Sequence, residues 1–337
     1  MSEPSPRAGA MHAVPNPAQA PGASWSVADV QARATAIGDC VERVIAGKRD
    51  VIDTAITCLL SDGHLLIEDV PGVGKTKLAQ AIAAAIDGEV RRIQFTPDLL
   101  PSDLTGVSVF NQRTSTFEFS PGPLFGNVVI GDEINRASPK TQSALLEAMA
   151  ERQVTVDGQT RTLPRPFMVV ATQNPIEMEG TFALPEAQRD RFMAQVEMGY
   201  PAPEAEALML DRHAALDPLD TVSPVATVDD VQAMIDTVLA AHVSGAIREY
   251  VVTLAAFTRE HRQVRLGASP RAALQLLRAA MVSATLDGRA YVTPDDVRRL
   301  APVVWSHRLL VDSSDYQSRH IAGEIIVEAL ASIPLRR

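Results

Sequence analysis

A glycine-rich turn between an apolar strand and a helix constrains this chain more than any other feature of its sequence. The run His64 to Glu68 predicts a short buried strand, and a helix opens near Lys77, just after the turn. Glycines in such a turn let backbone N–H groups converge on phosphate oxygens, and the helix N-terminus adds its positive end. The turn therefore predicts a nucleotide-binding loop, in which Lys75 reaches the β- and γ-phosphates and Thr76 places its hydroxyl on Mg²⁺. The predicted nucleotide-binding residues are Pro71, Gly72, Val73, Gly74, Lys75, Thr76 and Lys77.

A second signal is an apolar strand that ends in two adjacent carboxylates. Val128 to Gly131 predicts the strand, and Asp132 and Glu133 follow it. Asp132 can hold Mg²⁺, usually through a water molecule, and Glu133 can polarise an attacking water. Two solvated acids at a strand end are the plain alternative, but the upstream loop favours the catalytic interpretation. The loop departs from its usual pattern at Asp69, which occupies the position of the first glycine.

Composition and charge restrict the class of protein. The chain has 337 residues, which is enough for two packed domains. No apolar run approaches the ~20 residues that a membrane-spanning helix needs, so membrane insertion is not expected. The first residues lack the apolar stretch of a signal peptide, and Cys40 and Cys58 show no metal-ligand spacing, so we expect a cytoplasmic protein with reduced thiols. A formal net charge of −10 argues against a protein whose main function is to bind nucleic acid along a basic face.

The pattern along the chain predicts a tail and two domains. Residues 1–27 are rich in proline and alanine and too poor in apolar residues to fold alone, which predicts a disordered tail. Over residues 28–200, strands alternate with helices, which predicts an α/β core with a parallel sheet between helices. Leu104 to Phe119 and Gln153 to Leu163 each predict a β-hairpin inserted into that core. Residues 201–337 lose the strand signal, which predicts an all-α lid domain.

Local sequence patterns predict where individual helices and strands begin. Ser26 with Asp29 predicts a capped helix that runs to about Ala46, and a second helix begins near Arg49. The further helix starts predicted for the lid are Thr227 with Asp230, Ser269-Pro270, and Thr293-Pro294 with Asp296. The further strands predicted for the core are Glu89 to Phe95 and Phe167 to Thr172.

Four stretches of the sequence together give a specific resemblance to a known protein family. They are Ile93-Gln94-Phe95-Thr96-Pro97-Asp98-Leu99-Leu100-Pro101-Ser102-Asp103, Asp132-Glu133-Ile134-Asn135-Arg136-Ala137, Ala171-Thr172-Gln173-Asn174-Pro175 and Leu184-Pro185-Glu186-Ala187-Gln188. In this order they resemble the MoxR family of AAA+ ATPases, over about residues 40 to 310. The resemblance implies an AAA+ P-loop core that uses ATP and Mg²⁺, followed by a helical lid. The two hairpins resemble the family's helix-2 insert and pre-sensor-1 insert, which face the central axis of a ring.

The resemblance also implies roles for residues outside the loop and the acidic pair. Asn174 falls at the sensor-1 position, where a polar side chain helps to orient the lytic water. Arg191 falls where related proteins place an arginine finger that reaches the neighbouring subunit's site, and Arg189 is a second candidate for that role. Arg271 matches the sensor-2 position, next to the γ-phosphate. Gly47 ends a segment that lies where this fold usually forms the adenine pocket.

At the level of function, the resemblance implies a hexameric ring with ATP bound between the core and the lid of each subunit. It implies a chaperone-like ATPase that assists the maturation, activation, or metal or cofactor insertion of protein complexes. A protein with a von Willebrand factor A domain is the implied partner, together with a client complex that no motif in the sequence identifies.

Two alternatives stay open on the sequence alone. A nucleic-acid-remodelling AAA+ motor would share both hairpins, although Arg113 at one tip is offset by Asp157 at the other. A regulatory scaffold with little turnover would need no water-activating glutamate, so Glu133 argues against it.

Overall fold

The computed structural model of the chain describes residues 25–70, 72–174, 181–200, 203, 206, 217–312 and 315–334. Its helices are α1 (Val27–Glu42), α2 (Arg49–Leu60), α3 (Lys75–Ala85), α4 (Pro101–Thr105), α5 (Pro139–Glu151), α6 (Glu186–Arg189), α7 (Val228–Leu239), α8 (Gly245–Glu260), α9 (Pro270–Leu286), α10 (Pro294–Trp305) and α11 (Asp315–Ser332). Its strands are β1 (Leu65–Glu68), β2 (Val90–Gln94), β3 (Gly106–Asn111), β4 (Thr116–Pro121), β5 (Val128–Asp132), β6 (Gln153–Val156), β7 (Gln159–Thr162), β8 (Met168–Gln173), β9 (Ala194–Val196), β10 (Val264–Leu266) and β11 (Leu310–Val311). Of the predicted tail, residues 1–24 lie outside the described ranges.

The central sheet has five parallel strands in the order β2-β5-β8-β1-β9. Strand β5 is buried along its whole length, as expected for a sheet that is covered on both faces. The predicted parallel α/β core is therefore confirmed. Strand β9 was not predicted, because three residues are too few to show a strand pattern.

Two hydrophobic clusters cover the two faces of the sheet. On one face, α1, α3 and α9 contribute Val30, Ile82 and Leu276 to a cluster that runs from the core into the lid. On the other face, α5 contributes Leu145, which packs in a second cluster with Phe95. The lid helices thus share one apolar cluster with the core, and the predicted division at residue 200 stays a prediction.

The two predicted hairpins are confirmed as β3–β4 and β6–β7, each a two-stranded antiparallel ladder. The turn of the second hairpin places Asp157 at φ 51° and Gly158 at φ 74°. Positive φ at both central residues is the conformation of a type I′ turn, which matches the twist of the flanking strands. The hairpins contact each other, because the Arg161 guanidinium lies 3.9 Å from the centroid of the Phe119 ring.

The helix starts agree with the sequence pattern. Capping boxes at Ser26, Thr227 and Thr293 open α1, α7 and α10. Helix α1 ends at Glu42, earlier than predicted, since the following residues form turns before Gly47 at φ 73°.

The lid is helical, with one addition to the prediction. Strands β10 and β11 form a short antiparallel ladder beside α8. None of the helices within the described ranges combines the length and apolar character that a membrane span requires.

Two buried histidines make the stability of the fold depend on pH. His64 accepts a hydrogen bond from the Val169 N–H through Nδ1 at 3.0 Å, and its Nε2 lies 3.2 Å from the Met149 carbonyl oxygen. Burial holds the pKa of His64, and likewise that of His307, well below the ordinary histidine value. The unfolded chain therefore takes up protons near pH 6.5 that the folded chain does not, so acid favours unfolding.

We expect the free energy of unfolding to fall as the pH drops from 7.5 to 5.5. The slope should approach about 1.4 kcal/mol per pH unit for each buried histidine once the unfolded state is protonated. Urea unfolding at several pH values measures it. His64→Gln should lower stability overall but flatten the slope, whereas His320→Gln, at a largely exposed position, should leave the slope unchanged. An equal slope in His64→Gln and the unaltered protein would contradict this account.

Candidate nucleotide site

The glycine-rich loop leaves the carboxyl end of β1 and enters α3. Gly72 has φ 88° and Gly74 has φ 94°, a left-handed backbone conformation that residues other than glycine rarely adopt. Gly74 is the N-cap of α3, and within the described part of the chain no side chain forms a capping hydrogen bond at that helix start. The first N–H groups of α3 are therefore available to an anion, which is the arrangement that a polyphosphate requires. Pro71 lies outside the described residues.

Lys75 and Asp69 hold the loop from within. The Lys75 ammonium donates to the backbone oxygen of Asp69 at 2.6 Å, and burial lowers the pKa of Lys75. The Asp69 carboxylate accepts from the Val70 N–H at 2.7 Å and from the Gly199 N–H at 2.5 Å. These two bonds explain the departure from the usual glycine, because a side chain at this position ties the loop to the chain that follows β9.

Asp132 stands at the carboxyl end of β5, where it faces the start of α3. The Thr76 hydroxyl lies 3.4 Å from both carboxylate oxygens of Asp132, and the Thr172 hydroxyl donates to one of them at 3.3 Å. Arg92, on β2, forms an ion pair with the same carboxylate at 2.7 Å. A hydroxyl and a carboxylate that converge in this way are the oxygen ligands that Mg²⁺ prefers, so the residues present fit this ion.

Glu133 adopts a left-handed conformation, with φ 57° and ψ 50°. Its N–H donates to the Thr172 hydroxyl at 3.0 Å. Its carboxylate accepts from the Gln94 amide at 3.0 Å and pairs with Arg136 at 3.1 Å. The backbone and the side chain of Glu133 are thus both held by neighbours at the carboxyl edge of the sheet.

Sequence reasoning missed four of these partners. Thr172, Arg92, Gln94 and Arg136 were not assigned roles, although Gln94, Arg136 and Thr172 lie inside the stretches that carry the family resemblance. A usable signal was Thr172 itself, a polar residue in the otherwise apolar and buried β8. For Arg92, the pairing of β2 with β5 supplies the contact, and no local pattern shows that pairing.

Asn174 and the segment that ends at Gly47 also lie at this edge. Asn174 is buried and follows β8, which lies between β5 and β1 in the sheet, so it sits between Asp132 and the loop. The segment before Gly47 brings Ile45 beside the loop, since a Cβ built on Gly74 would lie 3.6 Å from the Ile45 side chain. The structure therefore places Asn174 and the segment before Gly47 near the loop.

Arg191 and Arg271 lie together at the other edge of the sheet. Arg191 precedes the amino end of β9, and its guanidinium donates to the Leu146 backbone oxygen at 2.6 Å. Asp190 binds the hydroxyl of Ser269, which caps the helix that carries Arg271. The two arginines line a cleft of about 500 Å³, whose lining residues are Glu186, Ala187, Asp190, Arg191, Arg259, Leu266, Gly267, Ala268, Ser269, Pro270, Arg271 and Arg308.

This placement departs from one prediction. We expected Arg271 next to the γ-phosphate of the ATP bound by its own chain. Strands β1 and β9 are parallel, and the loop follows the carboxyl end of β1 whereas Arg191 precedes the amino end of β9. The length of the sheet therefore separates Arg271 from the loop of the same chain. Arg189 is not among the residues that line the cleft, whereas Arg191 is.

Residues 64–194 match the ATPase family associated with various cellular activities (AAA), and residues 256–329 match the AAA lid domain. The sheet order, the loop on β1 and the acidic pair on β5 agree with that match. The fold and the site thus define the class of AAA+ P-loop ATPases.

Similarity to curated proteins and to a solved structure identifies the family within this class. The chain is 47% identical over 300 residues to the uncharacterized protein YeaC of Bacillus subtilis, covering 88% of this chain and 93% of that protein. It is 40% identical to the chaperone MoxR1 of Mycobacterium tuberculosis, over 91% of this chain and 82% of that protein. Protein MoxR of Paracoccus denitrificans is 31% identical, with coverage of 92% and 98%. The chain belongs to the MoxR family of AAA+ ATPases.

A crystal structure from Cytophaga hutchinsonii, described as a candidate ATPase, superposes with a TM-score of 0.84. It is 34% identical and covers 92% of this chain and 97% of that chain. The fold described above is therefore shared by core and lid together.

Thr172→Val should separate catalysis from binding. The substitution removes one hydroxyl that orients both Asp132 and Glu133, with little change in shape, so we expect nucleotide turnover to drop about 10-fold while nucleotide affinity changes little. The partly buried N–H of Glu133 would lose its partner, and stability should fall by about 1–3 kcal/mol. Steady-state kinetics and thermal unfolding measure the two effects. Thr160→Val, on the exposed β7, is the control, and equal turnover in both variants would exclude a role for Thr172.

Proposed function

We propose that this protein hydrolyses ATP with Mg²⁺ and works as a ring-forming, chaperone-like remodeller of protein complexes. The observation that carries the proposal is the convergence of Lys75, Thr76, Asp132 and Glu133 at one edge of the sheet. A glycine loop with a cation and two acids supplies the parts that phosphoryl transfer to water requires.

Each residue has a distinct part in this proposal. The open N–H groups of α3 and the ammonium of Lys75 bind phosphate oxygens, and Lys77 belongs to the same first turn. Thr76 and Asp132 hold Mg²⁺, which offsets phosphate charge when bound. Glu133 accepts the proton of the attacking water, and Asn174 orients that water.

The position of the arginines supports a shared site between subunits. Arg191 and Arg271 lie at the edge of the sheet away from the loop of their own chain, and both line a cleft that contains more arginines than acids. An arginine that reaches a neighbouring subunit stabilises the charge of the transition state. A head-to-tail ring lets every subunit supply and receive these arginines, and we propose a hexamer.

Similarity to the MoxR family supports the proposed chaperone role and the proposed cellular location. The relative in Mycobacterium tuberculosis bears the name chaperone. We propose a cytoplasmic protein that assists maturation, activation, or metal or cofactor insertion in a client complex, together with a partner carrying a von Willebrand factor A domain. Cys40 and Cys58 are both buried free thiols, which fits a reducing compartment.

The first test compares two variants of the loop and the acidic pair. Lys75→Ala should bind ATP at least about 10-fold more weakly, because the cation next to the phosphates is lost. Glu133→Gln should bind ATP with near-normal affinity and hydrolyse it at least about 100-fold more slowly. Calorimetry and phosphate release measure these quantities, with Lys140→Ala on the exposed start of α5 as the control. Normal turnover in Glu133→Gln would remove this residue from the mechanism.

The second test concerns the shared site. Arg191→Ala should lose at least about 100-fold in turnover while keeping its own nucleotide affinity. Mixed with Lys75→Ala, which binds ATP poorly but has intact arginines, it should regain activity, since each inactive subunit supplies what the other lacks. Full activity in a protein that stays monomeric and shows no dependence on concentration would contradict the ring.

A further inference from the structure

Arg308 is a buried arginine of the lid whose guanidinium contacts the core at the loop that carries Arg191. Its side chain is 1% exposed. Nη2 donates to the Phe192 backbone oxygen and lies 3.4 Å from the Met193 oxygen, while Nε lies 3.8 Å from the Asp190 carboxylate. The guanidinium therefore touches the chain on both sides of Arg191.

The same loop is bound a second time by the lid. The Ser269 hydroxyl lies 2.9 and 3.0 Å from the two carboxylate oxygens of Asp190. Ser269 also accepts the Ala272 N–H at 3.0 Å, which fixes the first turn of α9, where Arg271 stands. Asp190 thus connects the element that carries Arg191 to the element that carries Arg271.

Arg308 completes this connection inside the lid. Its Nη2 also donates to the Gln275 side chain, in the second turn of α9. Its Nε lies 3.2 Å from His307 Nε2, and that nitrogen lies 3.0 Å from the Phe192 oxygen. One guanidinium is therefore shared by α9, by the chain after α10 and by the loop around Arg191.

Fold stability alone does not account for this arginine. Burial lowers the pKa of Arg308 to about 10, so the side chain remains a cation at neutral pH although burial disfavours its charge. Its Nη1 finds no hydrogen-bond partner among the described residues. A well-packed apolar side chain often stabilises such a position better than a buried charge does. The charge therefore points to a role in the geometry of the junction.

We propose that Arg308 is a positioning residue that fixes Arg191 and Arg271 relative to each other, so that a subunit presents both arginines to its neighbour as one rigid unit. The inference rests on the proposed ATPase function and its shared site. Arg308 acts through the loop and through α9, and it does not contact nucleotide itself.

The test uses Arg308→Gln in the full-length protein. Its own P-loop is untouched, so affinity for a non-hydrolysable ATP analogue should stay within about 2-fold, while kcat falls about 10- to 100-fold. Mixed with Lys75→Ala, it should regain activity, because the partner supplies intact arginines. A defect confined to the variant's own nucleotide site would not be rescued in this way.

A matched control comes from another lid arginine that binds the core. Arg319 pairs with Glu197 at 2.6 Å and donates to the Gln195 oxygen at 2.9 Å, so it joins lid and core without touching the Arg191 loop. Arg319→Gln should keep kcat within about 2-fold of the unaltered protein. If Arg308→Gln does not fold, Asp190→Asn tests the same connection at a less buried position, and it should show the same rescue by Lys75→Ala.

The possible outcomes distinguish a failure of the role of Arg308 from a failure of the proposed ATPase function. Wild-type kcat in Arg308→Gln, or reduced activity that Lys75→Ala fails to rescue while it rescues Arg191→Ala, would overturn the role of Arg308. Absence of ATP turnover in the unaltered protein would overturn the proposed function instead. Equal losses in Arg308→Gln and Arg319→Gln would show that any weakened lid contact has this effect, and would also overturn the inference.

Discussion

The parallel pairing of β1 with β8, and of β8 with β5, is the constraint on which the rest of the molecule depends. Parallel strands bring their carboxyl ends to one edge, so the glycine loop after β1, Asn174 after β8 and Asp132 at the end of β5 become neighbours. Thr172 then joins two of these strands through one hydroxyl. A shift of one residue between β5 and β8 would turn Thr172 to the opposite face and separate it from Asp132.

The same pairing gives the subunit two chemically different edges. The carboxyl edge carries open N–H groups, a lysine and two carboxylates, whereas the amino edge carries Arg191 and Arg271 beside the lid. The arginines are a sheet's length from the loop of their own chain. The ring that we propose would place the amino edge of one subunit against the carboxyl edge of its neighbour, and the contacts of the lid with the amino edge would hold the arginines in place.

Sequence patterns correctly predicted the features that depend only on residues close together in the chain. The capping boxes of Ser26, Thr227 and Thr293 depend on residues three apart, and the Asp157-Gly158 turn depends on two adjacent residues. Those features need no information about distant parts of the chain. By contrast, α1 ended early, and β9 and the β10–β11 ladder were missed, because these elements are too short or depend on a partner strand.

The sequence by itself determined the identity of the chemical groups: the loop around Lys75, the acids Asp132 and Glu133, and the family to which the chain belongs. Only the tertiary structure decided which groups share a site. Arg92 reaches Asp132 through strand pairing, and Arg271 lies beside Arg191 because Asp190 and Arg308 bind the lid to the amino edge of the sheet. The physical reason is that motifs are encoded by neighbours in sequence, whereas the placement of the lid follows from contacts between distant residues, such as the buried contact of Arg308 with Phe192, 116 positions apart.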